Sequence, residues 1–444
     1  MKVSVWAVEM PLFVFCGKII LMKKILILGG GFGGIRTALD LSKRLKKQSP
    51  PVGGVQITLI DRNSYQIFYP SLYEVASAFG ITYDDPYYSK LRGTISVPFS
   101  DIFADSGVQI IQGEIEQVDI ANKKILTRGR EKLDFDYLVM AFGSEVSTYG
   151  IPGVNEYTYK FKSVDDALLL FRDIEEIYKS RDRSRLPIKH LIVGAGFTGI
   201  ELAAELALCT THIAHKHGIN IDKCTSITLL EAGSQMLPTI DDYERIMIRK
   251  RLGELGVETM ENTVIAEIKD DNNALLKSGQ TLNADFIIWT AGVKAPEMLK
   301  SIPGLELNPA GRIIVNEYLQ ISNSKYVFAI GDNIVFNDLK TRKPIPQMAF
   351  LAIKQGSIVA KNIARLAASV PSTNLSLYNP SYGTWIAPVG GKHAVVHTKF
   401  LVFDGLLGYL FRELIDAKYF FSILPPTKAI RLICARIKIF VKND

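Results

Sequence analysis

Four cysteines in 444 residues are few, and Cys16, Cys209, Cys224 and Cys434 stand far apart with no C-x-x-C pair among them. That excludes a disulfide framework and a dithiol redox motif, and makes a reducing, intracellular setting the expectation. Nor is there a run of about 18 uncharged apolar residues, so no membrane-spanning helix is expected. The apolar stretch from Val3 to Leu21 is broken by Glu9, Pro11 and Lys18 and is followed by no small-residue cleavage site. Residues 1–21 are therefore read as an N-terminal extension ahead of Met22. Charge of one sign is scarce too: 52 basic against 45 acidic residues leave +7, which matters only where it is concentrated.

What is present is a folded composition, 48% hydrophobic with 34 glycines, on a chain long enough for two or three domains and a sizeable core. Lys24–Leu28 is a short β-branched apolar run leading straight into GGGFGG, Gly29 to Gly34, and then an Ala/Leu-rich helical pattern. Strand, glycine turn and helix in that order make a phosphate cradle. Gly29 permits the tight turn, Gly31 lets backbone approach a pyrophosphate, Gly34 lets helix and strand pack closely, and the helix N-terminus faces the phosphates. Gly33 completes the run. A second strand, Gln56 to Ile60, ends at Asp61, whose carboxylate suits ribose hydroxyls; the long gap between is filled by a loop at Ser49-Pro50-Pro51 and Gly53-Gly54.

The same grammar recurs. His190–Val193 runs into GAGFTG, Gly194 to Gly199, then a helix, then a strand Ser226–Leu230 ending at Glu231. Each copy also has a later apolar strand closing on glycine, at Gly143 and at Gly292. Two complete strand-turn-helix units, each with its carboxylate, predict two dinucleotide sites. Glu231 favours an unphosphorylated ribose, hence NAD, whereas Arg62 beside Asp61 weakens that inference for the first copy.

A further strand, Tyr326–Ile330, ends in Gly331-Asp332. Here the sequence resembles the two-dinucleotide-binding flavoproteins from about Lys23 to Leu366. The resemblance implies that the first glycine motif and the late Gly-Asp hold FAD, and that the inserted second unit holds NAD(P)H. More specific stretches resemble the type II NADH dehydrogenases, single-subunit NADH:quinone oxidoreductases that pump no protons: DRNSYQIFYPSLYEVASA (Asp61 to Ala78), Trp289-Thr-Ala-Gly-Val293, and GFTGIELAAEL (Gly196 to Leu206). The family's quinone signature AQxAxQQ falls on Ala349–Gln355, with both alanines and Gln355 kept and two glutamines replaced by Phe350 and Lys354. The family's ATG turn reads Ala141-Phe142-Gly143 here.

The fold class so implied is α/β, two Rossmann-like domains plus a C-terminal membrane-associated region. The expected division is 1–21 as extension, 22–157 with 291–371 as the FAD domain, 158–290 as the NAD domain, and 372–444 as membrane anchor. FAD is expected at Gly29, Gly31, Gly33, Gly34, Asp61, Arg62, Gly143, Gly331, Asp332 and Ala349; NADH at Gly194, Gly196, Gly199, Glu231 and Gly292; a quinone at Phe350, Lys354 and Gln355. Glu201, placed in the first turn of its helix, is the catalytic candidate, because the matching family glutamate lies near the flavin; the dipole alone also accounts for an acid there. Pro346 is read as the start of a helix whose positive end faces the flavin.

His212, His215 and His217 form H-x-x-H-x-H at a helix end before Gly218, where the dipole favours cations, and no further ligands cluster with them; no metal centre is expected. After about Ser372 the chain turns aromatic. From Thr427, Ile430, Ile433, Cys434, Ile437, Phe440 and Val441 recur at helical spacing, with Lys428, Arg431, Arg436, Lys438 and Lys442 gathered away from them. That pattern predicts a basic amphipathic helix on an anionic membrane surface, or alternatively a helix docked on protein or on a second copy. The partners expected are NADH, a membrane quinone and the cytoplasmic face of the cell membrane, with no nucleic acid. The rivals are a soluble FAD-dependent reductase with a ferredoxin-like or small-molecule acceptor, another quinone reductase of the superfamily, and a redox-responsive sensor.

Overall fold

The structure is a computed structural model that describes residues 14–15, 18–19, 22–47, 54–78, 88–180, 186–216, 218, 224–368, 371 and 374–440. The Ser49–Pro51 and Gly53 loop residues, most of the 1–21 extension, Cys16, His217, Val441 and Lys442 lie outside them. The chain forms two compact units: Met1–Ser64 with Phe103–Gly143 and Ala295–Pro380, and Tyr65–Ile102 with Ser144–Lys294 and Ser381–Asp444.

The first unit is built on a five-stranded parallel sheet ordered Val327–Ala329, Tyr137–Met140, Lys23–Leu28, Val55–Asp61, Gln109–Gln112. Ile25, Ile27, Leu28, Leu59, Leu138, Val139 and Phe328 are buried, the near-continuous apolar run that a parallel strand covered on both faces requires. Helix Phe32–Lys47 packs along helix Ala349–Ala367. Their approach is close because both carry glycine at the crossing: a Cβ on Gly356 would lie 2.9 Å from Thr37 Oγ1 and would press on the Gly33 carbonyl.

The second unit repeats the plan. Its parallel sheet runs Tyr159–Lys160, Phe286–Trp289, Ile188–Val193, Thr225–Leu230, Val257–Met260. The four strands counted from the one entering the glycine turn repeat the first sheet's order, while the edge strand Tyr159–Lys160 precedes them in the chain where Val327–Ala329 follows them in the first unit. In each sheet the strand that enters the glycine turn sits centrally, with chain leaving it in opposite directions on its two sides, the topological switch point where open α/β sheets bind ligands. Counted from the strand that enters the glycine turn, each copy also inserts a three-stranded antiparallel sheet between its third and fourth strands, Ile115–Asp134 and Ile265–Asn283. The second unit ends in an antiparallel sheet, Trp385–Pro388, Ala394–His397 and Val402–Phe403, followed by helices Gly405–Ile423 and Pro426–Phe440. Among the described residues no helix is long and apolar enough to cross a membrane.

Candidate functional site: two nucleotide cradles and a buried ionic cluster

Both glycine turns use their glycines as the local chemistry demands. Gly29 has φ +109° and Gly194 φ +106°, a region where an L side chain is strained. A Cβ on Gly34 would collide with the Gly29 carbonyl, and one on Gly199 with the Gly194 carbonyl. Gly31 and Gly196, by contrast, have nothing within 4 Å of such a Cβ; the space beside them is open, as a pyrophosphate approaching the backbone requires. Gly33 serves packing instead, since its Cβ would press on Ile330 Cδ1 at 3.0 Å and on the Ala352 carbonyl at 3.3 Å.

The two carboxylates organise the turns they follow. Asp61 accepts from the Gly30 and Asn63 amides at 2.7 Å each, and Glu231 from Ala195 at 3.1 Å and Gly233 at 2.8 Å. Each oxygen so used keeps a lone pair for a ribose hydroxyl. Burial pushes the Asp61 carboxyl above its ordinary value, against the pull of those amides and of Arg62. Arg62 has an exposed side chain, and its carbonyl accepts from Gln112. Gly143 and Gly331 both have positive φ, and the Gly143 amide donates to Asn333 Oδ1 at 3.3 Å. Gly292, with φ +91°, closes the corresponding strand of the second unit.

Around the residues expected to meet a quinone, the start of the helix differs from the sequence expectation. Helix Ala349–Ala367 begins at Ala349, with Met348 extended as its cap, so Pro346 lies ahead of the helix and does not start it. The helix end still presents the first-turn amides at Ala349 and Phe350. Phe350 is half-buried, Lys354 is exposed with its ammonium 5.7 Å from the Phe350 ring centroid, and Gln355 is buried with Oε1 accepting from the Gly331 amide at 2.7 Å. Gln355 thus fixes the Gly331-Asp332 turn. Asp332 is held from the other side, its carbonyl accepting from Gln347 Nε2 at 2.7 Å.

Glu201 is the fifth residue of helix Phe197–Lys216, one turn deeper than predicted, so the helix dipole does not account for it. It belongs to a polar cluster inside the second unit that sequence reading missed. Arg412 Nη2 bonds Glu74 and, at 2.8 Å, Ser71 Oγ; it lies 3.7 Å from Asp416. Arg436 reaches Ser71 Oγ at 2.8 Å, Asp416 at 3.3 Å and the Thr94 carbonyl at 3.3 Å. Its guanidinium also lies over the rings of Phe68, Phe420 and Phe440, each 5.2–5.3 Å from the centroid. Tyr73, Glu74, Glu205, Arg412 and Arg436 line a cavity of about 20 Å³, room for one water. Burial raises the Glu201 carboxyl to about 8; Arg412 opposes the shift, while Glu74 and Asp416 add to it. Burial raises Asp416 to about 6 despite Arg412 and Arg436. The available signal was Arg412, Glu413 and Asp416 crowded into the middle of a helix rich in leucine and aromatic residues.

The tail departs from the predicted basic face. Lys428 pairs with Asp101 at 2.7 Å and Arg436 is buried, so of the four described cations only Arg431 and Lys438 are exposed. Among the described residues the larger exposed apolar face is on helix Gly405–Ile423, where Leu407, Leu410, Leu414 and Phe421 are exposed at helical spacing, with Phe400 and Leu401 ahead of it and Ile430 and Ile437 following.

The open space at Gly31 and Gly196, two carboxylate-tied turns and two parallel sheets that share the order of four of their five strands fit two dinucleotides, and they define a flavin- and pyridine-nucleotide-binding oxidoreductase. Residues 23–356 match the family model for pyridine nucleotide-disulphide oxidoreductases. Over 353 residues, 78% of this chain and 82% of the relative, the sequence is 32% identical to a type II NADH:quinone oxidoreductase of Staphylococcus aureus. The chain belongs to the type II NADH:quinone oxidoreductase family. The fold is that of the Plasmodium falciparum NDH2 solved in complex with NADH (TM-score 0.80, 18% identity, 95% of this chain and 99% of that one). It also resembles the sulfide:quinone oxidoreductase of Aquifex aeolicus (TM-score 0.71, 20% identity, 91% and 94% covered).

Proposed function

We infer that the chain oxidises NADH through FAD and reduces a quinone, NADH + H⁺ + quinone giving NAD⁺ + quinol, without moving protons across a membrane. One observation carries this: two complete dinucleotide cradles in one chain whose described cysteines form no disulfide, so electrons entering from one nucleotide leave to an external acceptor. FAD, when bound, supplies a ring that accepts a hydride and releases two electrons. The first turn, Asp61 and the Gly331-Asp332 turn fixed by Gln355 would hold it, with the amides at Ala349 and Phe350 favouring negative charge. The second turn and Glu231 would hold NADH.

Quinone reduction consumes two protons while NADH brings one hydride, so a proton must come from the protein or water. Glu201, with a carboxyl raised to about 8, is protonated at neutral pH and suited to deliver it. Phe350 and Lys354, standing where the family signature has glutamines, are assigned to the quinone. The exposed leucines of helix Gly405–Ile423, with Arg431 and Lys438 nearby in sequence, are assigned to an anionic membrane surface on the cytoplasmic side. The test is anaerobic: NADH should bleach the yellow protein, and a quinone should restore the colour. Bleaching that only a ferredoxin or a small soluble acceptor reverses would favour the soluble-reductase reading, and no bleaching would refute the assignment.

A further inference from the structure

We propose that Asp241, Glu244 and His397, in the second unit, form a binding site for a divalent transition-metal ion of the zinc class. Asp241 caps helix Asp242–Glu254 by position only, its carboxylate making no cap hydrogen bond, and it is exposed. Glu244 lies in that helix's first turn and His397 ends strand Ala394–His397. One donor atom from each lies within 4.8 Å of the other two. Zinc with bonds near 2.0 Å would bring its donors to about 3.3 Å apart, a closure that rotation of the exposed Asp241 side chain can supply.

The observation pointing to a ligand is Glu244. The residue is 2% exposed, its Oε1 lies 2.5 Å from His397 Nδ1, and its Oε2 is buried without a hydrogen-bond partner. Buried carboxylate oxygens are ordinarily satisfied. The neighbouring Arg245 does not serve: its guanidinium is committed to the Met236 and Ile240 carbonyls and to Asp242. What remains is two carboxylates and an imidazole with donor atoms within 4.8 Å of one another, a donor set that selects zinc-like ions over magnesium or calcium and leaves a fourth position for water. The imidazole is already oriented, stacked on Trp385 at 5.7 Å with 10° between the planes, the pre-setting of a ligand ring that outer contacts give metal sites. The 153 residues separating Glu244 from His397 hide the triad from any reading of spacing, and it shares no residue with the His212 cluster.

Untagged flavin-loaded protein, stripped with chelator and dialysed, is titrated with Zn²⁺ by calorimetry and followed by thermal denaturation. One Zn²⁺ per chain with micromolar Kd and a rising Tm is expected, with Kd at least tenfold weaker in D241N and H397Q and no displacement by millimolar Mg²⁺. Because Asp241 is exposed, D241N keeps the fold and tests the site even where H397Q does not. Absence of saturable binding, an unchanged Kd in D241N, or displacement by Mg²⁺ would each overturn the assignment.

Discussion

Replacing Glu201 by glutamine keeps the side chain's volume and removes its titration, which makes the consequence calculable. The carboxyl shifts from 4.5 to about 8 because burial penalises its charged form. The folded chain therefore holds a proton that the unfolded chain has released between those values, and stability falls as pH rises across that window. At 1.36 kcal/mol per pKa unit, the wild-type chain loses about 4 kcal/mol more from this group at pH 8.5 than at pH 5. Glu201→Gln loses none of it. Urea denaturation of the flavin-loaded protein at both pH values should show the variant gaining about 4 kcal/mol relative to wild type on going from pH 5 to pH 8.5. In the same variant, quinone reduction should fall by about 10²-fold or more and lose its decline above pH 8, while ferricyanide reduction by NADH, which needs no proton at the acceptor, stays unchanged. A difference in stability identical at both pH values would refute the burial argument. An unaltered pH profile for quinone reduction would remove Glu201 from proton delivery.

Gly31→Val should fold but bind no FAD, and Gly196→Val should keep FAD while raising the NADH KM at least tenfold, because a side chain at either position meets only open space in the fold; the flavin-to-protein absorbance ratio and steady-state kinetics check both. Arg436→Met strands the Asp416 carboxylate beside Arg412 alone, and should cost about 3 kcal/mol in urea denaturation, with Asp416→Leu added to it restoring most of the loss. Leu407→Asp with Leu414→Asp, at positions 69% and 67% exposed, should release the protein from sedimenting anionic vesicles without altering NADH oxidation by ferricyanide; retention on the vesicles would place the contact elsewhere. Point substitutions are the right tool, since deleting 427–444 would also remove Arg436 and Phe440 from the interior.

The glycine turns were legible because their requirements are local: a positive φ at Gly29 and Gly194, and a missing Cβ at Gly34 and Gly199, are fixed by the few residues around them. Parallel strands buried on both faces declared themselves as apolar runs for the same reason. The misreadings fall where partners are distant in sequence. Periodicity placed Arg436 in the basic set of an amphipathic helix and could say nothing about Ser71, 365 residues away, or Thr94, 342 residues away. Gln355 stands where the family's quinone signature has glutamine, and its amide oxygen also accepts from the Gly331 amide, a contact invisible in a motif, which records which residue is present and not which neighbour claims its polar atoms. Glu201 is the instructive case. Its place one turn inside the helix, beyond the reach of the dipole, means that burial sets its proton affinity, with Arg412 opposing and Glu74 and Asp416 adding to the shift. Those three charges come from a short helix early in the chain and from the penultimate helix, so the acidity of the catalytic candidate is written in segments that carry no nucleotide motif at all.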